Sequence, residues 1–472
     1  MSAKFGTSGL RGLASGLTDG TAARFVRGFA RHILGQTLAT AGSNILVASD
    51  LRQSSPLIRS QVIAALAAEN LKALDCGLLP TPALAAAAIT RGLPAIMVTG
   101  SHIPAERNGL KFYLPGGEIS KLDETAIAYH AGTVTGSSCA PAEAAPLAGL
   151  GMEFLERILR CLPGQPLRQL RLGVFEHSTV ARDLLGFMLE RLGAHVVRLG
   201  RTATFVALDT EAVEPETATT IHEWTKAHAL DALVSADGDG DRPLIADEQG
   251  HLLKGDVIGL LTAQFLGAET LVTPVTSNSG IERCFARPVL RTRVGSPYVI
   301  AGMDAARQSG LTGIAGFEAN GGVLVGDGMH VAGVALSALP TRDCFLPIAA
   351  VLCLAAGGRK TVSELVMGLD LPATASSKLE DLPPRTLATV LGYLNQDDAG
   401  IAAFLQPVGR VTAIDRTDGL RVTLNNGSVV ALRPSGNEPA LRCYVEAASE
   451  EAARQLLADV ERLALHPLLE VS

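Results

Sequence analysis

Apolar positions in the first three quarters of the chain alternate between two rhythms. Short continuous runs such as Asn44-Ile-Leu-Val-Ala-Ser49 and Ala95-Ile-Met-Val98 predict buried strands, which end at Asp50 and Thr99. Between them, Leu57 to Leu74 carries the spacing of an amphipathic helix. The unit recurs: Arg171-Leu-Gly-Val-Phe175 predicts a strand, Ala181 to Leu192 a helix and Ala194 to Leu199 a strand. Thr270-Leu-Val-Thr-Pro-Val275 predicts another strand, followed by Gly280 to Phe285. Strands alternating with helices imply βαβ units and a largely parallel sheet, although no strict sequence repeat accompanies the rhythm.

Towards the C-terminus the pattern changes. Val408 to Ile414, Leu420 to Leu424 and Val429 to Arg433 predict short strands joined by hairpin turns at Asp418-Gly419 and Asn426-Gly427. Leu441 to Ala447 predicts a further strand, and Glu450 to Leu465 a helix with acidic residues in its first turn. This piece reads as a separate α+β domain. Small, polar or Pro-bearing stretches suggest breaks at Gly132 to Pro146, near Gly250 to Gly255, and around Leu369 to Pro384.

With 472 residues against roughly 150 per domain, the chain holds three or four domains. Apolar residues make up 47% and charged residues 18%, a composition that excludes wholesale disorder. No apolar run reaches the ~18 residues of a membrane span; the longest, Phe345 to Ala356, contains Pro347. The opening Met1-Ser-Ala-Lys-Phe-Gly6 has no apolar core, so no signal peptide is expected. Seven scattered cysteines without a Cys-x-x-Cys pair argue against a disulfide framework and against zinc. The expectation is a soluble, cytoplasmic protein with no membrane partner. A net charge of −7 makes nucleic acid an unsuitable partner, while locally convergent Arg and Lys can still bind a small anion.

Five segments carry candidate chemistry. Val98-Thr-Gly-Ser101-His-Ile-Pro places Ser101 and His102 where a buried strand ends, the edge at which α/β folds bind ligands. Alone this is an ordinary turn, and Ile103 breaks the Gly-x-Ser-x-Gly pattern of a serine hydrolase. Ser235-Ala-Asp237-Gly-Asp239-Gly-Asp241-Arg242 brings three carboxylates to alternate positions. Unit charges ~4 Å apart repel by about 4 kcal/mol per pair at an effective dielectric of ~20, so a cation is needed to hold them together. Oxygen-only ligands favour Mg²⁺, Mn²⁺ or Ca²⁺. A calcium loop is disfavoured, because Arg242 stands where its sixth position requires Gly. Gly316-Phe-Glu318-Ala-Asn320-Gly-Gly322 reads as a plain turn or as a hydroxyl-binding loop. Arg433-Pro-Ser435-Gly436-Asn437-Glu-Pro-Ala-Leu-Arg442 joins two strands and offers two cations, a hydroxyl, an amide and turn N–H groups, a natural phosphate cradle. Finally, Phe5-Gly-Thr-Ser-Gly-Leu-Arg11-Gly12 is either a flexible terminus or a tight loop presenting a guanidinium.

Together, and in this order, these segments resemble those of the α-D-phosphohexomutase family, the phosphomannomutases and phosphoglucomutases, over essentially the whole chain. The resemblance implies four domains around a central cleft: α/β domains over 1–148, 149–252 and 253–370, and a smaller α+β domain over 371–472. It implies a phosphoserine at Ser101, with Mg²⁺ held by Ser101, Asp237, Asp239 and Asp241. Arg11, Arg242, His102 and Lys111 would serve the reaction, Lys111 as general acid/base. Glu318 and Asn320 would bind the sugar, and Arg433, Ser435, Gly436, Asn437 and Arg442 a phosphate. The implied reaction interconverts hexose 6-phosphate and hexose 1-phosphate through a 1,6-bisphosphate, which also serves as activator. A phosphomannomutase with phosphoglucomutase activity is expected, as a monomer or weak homo-oligomer; alternatives are a phosphoglucosamine mutase and a non-mutase, phosphatase-like or binding relative. The chain departs from the family at Gly100 (usually Ala), Ile103 (usually Asn) and Asn437 (usually Thr). Asn320 and Gly322 stand where bacterial relatives often have Ser and His, with His330 a candidate substitute.

Overall fold

The buried apolar runs form the centres of three mixed sheets built on one plan: a parallel strand, a loop at its C-terminal end, and an antiparallel return strand. The computed structural model describes residues 3–6, 9–136, 139–379, 389–390, 392, 395–434 and 440–465. They fall into two compact units, Met1–Val272 with Gly295–Gly368, and Thr273–Val294 with Leu369–Ser472.

In the first sheet, Asn44–Ser49 lies between Lys72–Leu78 and Ala95–Val98, parallel to both. Ala95–Val98 then turns back as the antiparallel strand Arg107–Leu114, which also pairs with Leu10–Leu13. In the second, Arg171–Phe175 pairs parallel with His195–Leu199 and Ala232–Ala236, and Ala232–Ala236 returns as antiparallel Pro243–Ala246. In the third, Thr270–Val272 is parallel to Ile314–Phe317, which returns as antiparallel Val323–Val325 and pairs onward with Leu339–Asp343. The three reversals carry Ser101, Asp237–Asp241 and Glu318–Gly322. The rhythm of the sequence is therefore a repeat of topology, and each repeat delivers one candidate loop to the carboxyl end of a buried strand.

The second unit holds a five-stranded antiparallel sheet ordered Ala373–Leu379, Leu441–Ala447, Val429–Pro434, Leu420–Leu424, Val411–Asp415. Both expected hairpins form, with Gly419 and Gly427 in left-handed backbone. Period-two alternation is clear in Leu420, Val422 and Leu424, all buried in one core with Val430, Leu432 and residues of the helix Glu450–Leu465.

Two boundaries differ from expectation. The helix expected over Leu57 to Leu74 runs only from Ser55 to Ala68, and Lys72–Leu78 is a strand. The apolar spacing continues past the break, but Asn70 adopts φ 57°, a conformation that Asn tolerates and a helix does not. The strand expected from Val408 begins at Val411, because Val408 and Gly409 donate back to Leu405 and close the preceding helix. The apolar run at Phe345 forms the helix Phe345–Gly358, with Pro347 harmlessly in its first turn. Among the described residues, no helix is long and apolar enough to cross a membrane.

Helices Ala22–Gly35 and Lys121–Gly132 cover the first sheet in close contact at Gly28, where a Cβ would lie 2.6 Å from Ile127 O and 2.8 Å from Ala131 N. Gly28→Ala gains helix propensity of at most ~1 kcal/mol but forces the helices apart, at about 1–3 kcal/mol. Calorimetry should show a lower melting temperature for the first unit; a value at or above wild type would mean that the helices separate without cost.

Candidate active site

The strand Ala95–Val98 ends at Thr99, whose hydroxyl donates to Asp50 Oδ2 at 2.7 Å and accepts from Ser101 N at 2.7 Å. These bonds turn the chain sharply, and Ser101 takes φ 55°, a sparsely populated region for a residue with a Cβ. Ser101 is buried, and its hydroxyl donates to Asp237 Oδ2 at 2.5 Å, with His102 Nδ1 3.2 Å away. Burial, then the charges of Arg242 and Arg11, hold His102 well below the usual imidazole range, so the ring is neutral at pH 7.

The aspartate loop presses directly on this serine: a Cβ at Gly238 would lie 2.6 Å from Ser101 O. Asp237, Asp239 and Asp241 are all buried, with ligand atoms within 4.8 Å of one another. Their charges are met from two sides. Lys111 Nζ bonds Asp239 Oδ2 and Asp241 Oδ2, each at 2.6 Å. Arg342 donates to Asp241 Oδ2 through Nη2 at 2.6 Å and Nε at 3.1 Å. Burial works against ionisation of Asp241, but Arg342, Lys111 and Arg242 outweigh it and keep the carboxyl below its usual range. Among the described residues no cation bonds Asp237 directly, and burial together with Asp239 and Asp241 outweighs the more distant Arg242 and Lys111 and pushes it well above that range. Among the described residues, Asp239 Oδ1 and Asp241 Oδ1 are buried and lack any hydrogen-bond partner. Two orphaned carboxylate oxygens beside Asp237, in an oxygen-only donor set, fit a hard divalent cation.

Lys111, expected from the resemblance as general acid/base, has its Nζ between two carboxylates, where it balances their charge. Arg242 lies 3.5 Å from both Asp209 Oδ1 and Glu211 Oε2, and 3.9 Å from Asp241 Oδ1. Arg11 Nη1 donates to Thr99 O at 3.4 Å, and burial lowers its guanidinium to about 10.

Glu318 and Asn320 are buried at the third reversal, joined through Asn320 Nδ2 to Glu318 Oε2 at 3.5 Å. Arg342 Nη1 donates to Glu318 Oε2 at 2.6 Å, so one guanidinium spans the aspartate loop and the Glu318 loop. Sequence reasoning missed Arg342. Its strand Leu339–Asp343 is anchored by Asp343, which accepts from Phe345 N at the start of the next helix. The missing histidine also finds its reason here, since a Cβ at Gly322 would stand 2.7–2.9 Å from Arg342 Cδ, Cγ and Cβ. His330, the candidate substitute, is exposed on a two-residue strand and contacts Gly328 O, not the triad. In the second unit, Arg433 and Arg442 are paired across adjacent strands, and Arg433 Nε binds Asp418 at 2.9 Å. Ser435, Gly436 and Asn437 lie outside the described residues.

Four family models match in sequence order: phosphoglucomutase/phosphomannomutase α/β/α domain I over residues 2–135, domain II over 147–250, domain III over 254–370 and the C-terminal domain over 386–463. The chain is 44% identical over 467 residues to a phosphomannomutase of Sinorhizobium fredii, covering 97% of this chain and 98% of that one. It is 42% identical over 463 residues to a phosphomannomutase of Salmonella muenchen, covering 97% and 94%. A phosphoglucosamine mutase of Alkalilimnicola ehrlichii is 29% identical over 469 residues, covering 94% and 92%. Among solved structures, a phosphoglucomutase/phosphomannomutase family protein from Burkholderia thailandensis shares the fold, with a TM-score of 0.74 at 21% identity over 98% of this chain and 97% of that one. The chain thus belongs to the phosphoglucomutase/phosphomannomutase family, and it is a phosphohexomutase, an intramolecular phosphotransferase.

Beneath the aspartate loop, Thr179 Oγ1 donates to Asp237 O at 2.6 Å and His177 Nε2 to Ala236 O at 2.9 Å. Among the described residues His177 Nδ1 is buried without a partner, and burial lowers the imidazole from 6.5 to about 4. The unfolded chain then binds the extra proton first, so this group's stability is complete above pH 6.5 and is lost as pH falls towards 4. The contribution is about 3 kcal/mol. His177→Gln should flatten the fall in melting temperature between pH 7 and pH 4; parallel curves for mutant and wild type would refute the assignment.

Proposed function

We propose that this phosphohexomutase is a phosphomannomutase that also accepts glucose phosphates, with Ser101 as the phosphoryl carrier. One observation carries the reading: a buried serine hydroxyl in left-handed backbone, at the C-terminal edge of a sheet, 2.5 Å from Asp237 and 3.2 Å from a neutral His102. The identity to two phosphomannomutases supports mannose as the sugar.

Asp237, Asp239 and Asp241, with an oxygen of the phosphorylated Ser101, would hold Mg²⁺. When bound, that ion neutralises charge on the transferring phosphoryl group. In the forward step the bond from phosphorus to Ser101 Oγ breaks, and a bond forms to the free hydroxyl of a hexose 6-phosphate. The hydroxyl's proton ends on Ser101 Oγ, and His102 Nδ1, neutral and within reach of that oxygen, is the group that relays it. The product is a hexose 1,6-bisphosphate, whose other phosphate returns to Ser101 by the same steps; added bisphosphate activates by loading Ser101. Arg11 and Arg242 stabilise the phosphoserine, and Lys111 and Arg342 balance the aspartates. Glu318 and Asn320 bind sugar hydroxyls. Arg433 and Arg442, with Ser435, Gly436 and Asn437, bind the phosphate that is not reacting.

Intact-mass spectrometry tests the carrier. Wild type exposed to glucose 1,6-bisphosphate should gain the mass of one phosphate and lose it to hexose 6-phosphate. Ser101→Ala should gain none and lose turnover, while melting like wild type; activity within a few-fold of wild type would eliminate Ser101.

The sugar is tested by comparing epimers. Mannose and glucose phosphates differ only at C2, and a site gains nothing against an epimer at a position it does not contact. The two should be turned over with kcat/KM within about tenfold, or ~1.4 kcal/mol, and Glu318→Ala should reduce both by similar factors. A thousandfold preference for one sugar would overturn the dual specificity.

A further inference from the structure

Arg52 follows the buried strand Asn44–Ser49 and is itself only 1% exposed. Its guanidinium points chiefly at main chain, away from solvent. It meets four carbonyls of the segment that bears Ser101: Nη2 donates to Ser101 O at 2.9 Å and Ile103 O at 2.5 Å, and Nη1 to Pro104 O at 2.7 Å and Arg107 O at 2.9 Å. Nε stands 3.3 Å from Asp50 Oδ2, on the carboxylate that also takes the Thr99 hydroxyl and Gly100 N–H. The ring of Phe205 covers the cation, 4.0 Å from Cζ to its centroid. A Cβ at Gly100 would lie 2.4 Å from Arg52 Cζ, so the absent side chain is what admits the guanidinium.

Four carbonyl dipoles converging on one point repel one another unless a cation with several fixed donors fills it. The planar fork of Arg does so; the single ammonium of Lys does not match it. Ser101 adopts a backbone conformation that persists only where its surroundings over-determine it, and Arg52 touches the carbonyl on one side of that residue while Asp50 and Thr99 hold the other. Among the described residues, Arg52 makes no hydrogen bond to Asp237, Asp239 or Asp241; its hydrogen bonds to carbonyls all fall on the serine loop, and the aspartates feel it only through its charge.

We propose that Arg52 is a positioning residue for phosphoryl transfer, holding the Ser101 hydroxyl in its reactive place through the four loop carbonyls without touching substrate. The inference rests on the reading of Ser101 as phosphoryl carrier.

Full-length Arg52→Lys and Gly100→Ala test it. Lys keeps the charge but loses the fork. Ala keeps Arg52 and pushes on the same guanidinium from the other side. The readouts are the initial rate of phosphate incorporation from glucose 1,6-bisphosphate, by quenched intact mass, together with kcat and KM for mannose 1-phosphate and the melting temperature. A displacement on the order of 1 Å at a nucleophile costs roughly a hundredfold in rate. Both variants should therefore lose about that much in phosphate incorporation and kcat, with KM within about threefold of wild type. If Arg52→Lys does not fold, Gly100→Ala decides. Incorporation and kcat within about threefold of wild type, whatever the melting temperature, would overturn the proposal. So would a fall in kcat matched by an equal rise in KM, or the loss of folded protein in both variants, either of which assigns Arg52 to the scaffold alone. Ser101→Ala is measured beside them. If it takes up phosphate like wild type, the parent reading fails; if it stays blank while the Arg52 and Gly100 variants load normally, only the Arg52 inference fails.

Discussion

Three carboxylates share a buried space in which their ligand atoms lie within 4.8 Å of one another, and much of the first unit is arranged around that concentration of charge. In a low-dielectric interior such a group is unstable unless opposite charge is brought to it. Lys111 arrives from the first sheet and Arg342 from the third, while the aspartates themselves hang from the second. The electrostatic need of one loop thereby ties three sheets together. Among the described residues the compensation stops short at Asp239 Oδ1 and Asp241 Oδ1, and that shortfall is what suits the loop to a cation instead of a closed network of ion pairs.

The common plan of the sheets explains how residues so far apart in sequence meet. Each central parallel strand ends and reverses, and a reversal at a carboxyl edge exposes N–H groups and short polar side chains together. Ser101, Asp237 and Glu318 occupy the same place in three successive copies of that plan. Their chemistry differs because the loops differ, while the scaffolds repeat.

Much of this was legible in the sequence, because it is written locally. Alternating Asp and Gly, a serine just past a buried strand, and Asp-Gly and Asn-Gly turns between short strands each carry their own signal. The unread part is of another kind. Arg342 lies 101 positions from Asp241, in a strand whose other residues are mostly buried, and nothing near it announces an ion pair. Arg52 carried a fainter sign, a charged pair Asp50-x-Arg52 directly after a buried strand, but a cation whose partners are main-chain carbonyls leaves no pattern of side chains to recognise. Lys111 was found, but its position in the chain says nothing about which loop it faces, and the two aspartates it meets were not foreseen. The Leu57 helix was overextended for a similar reason: apolar spacing survives the break at Asn70, and only backbone conformation records it.

The contact between Gly322 and Arg342 has a bearing on descent. A side chain larger than hydrogen at 322 and an arginine at 342 compete for one volume. In this chain a histidine at 322 is therefore not one codon change away, because Arg342 already fills the space it would need. To admit it the chain must first vacate 342, and that strips Asp241 and Glu318 of the cation they share.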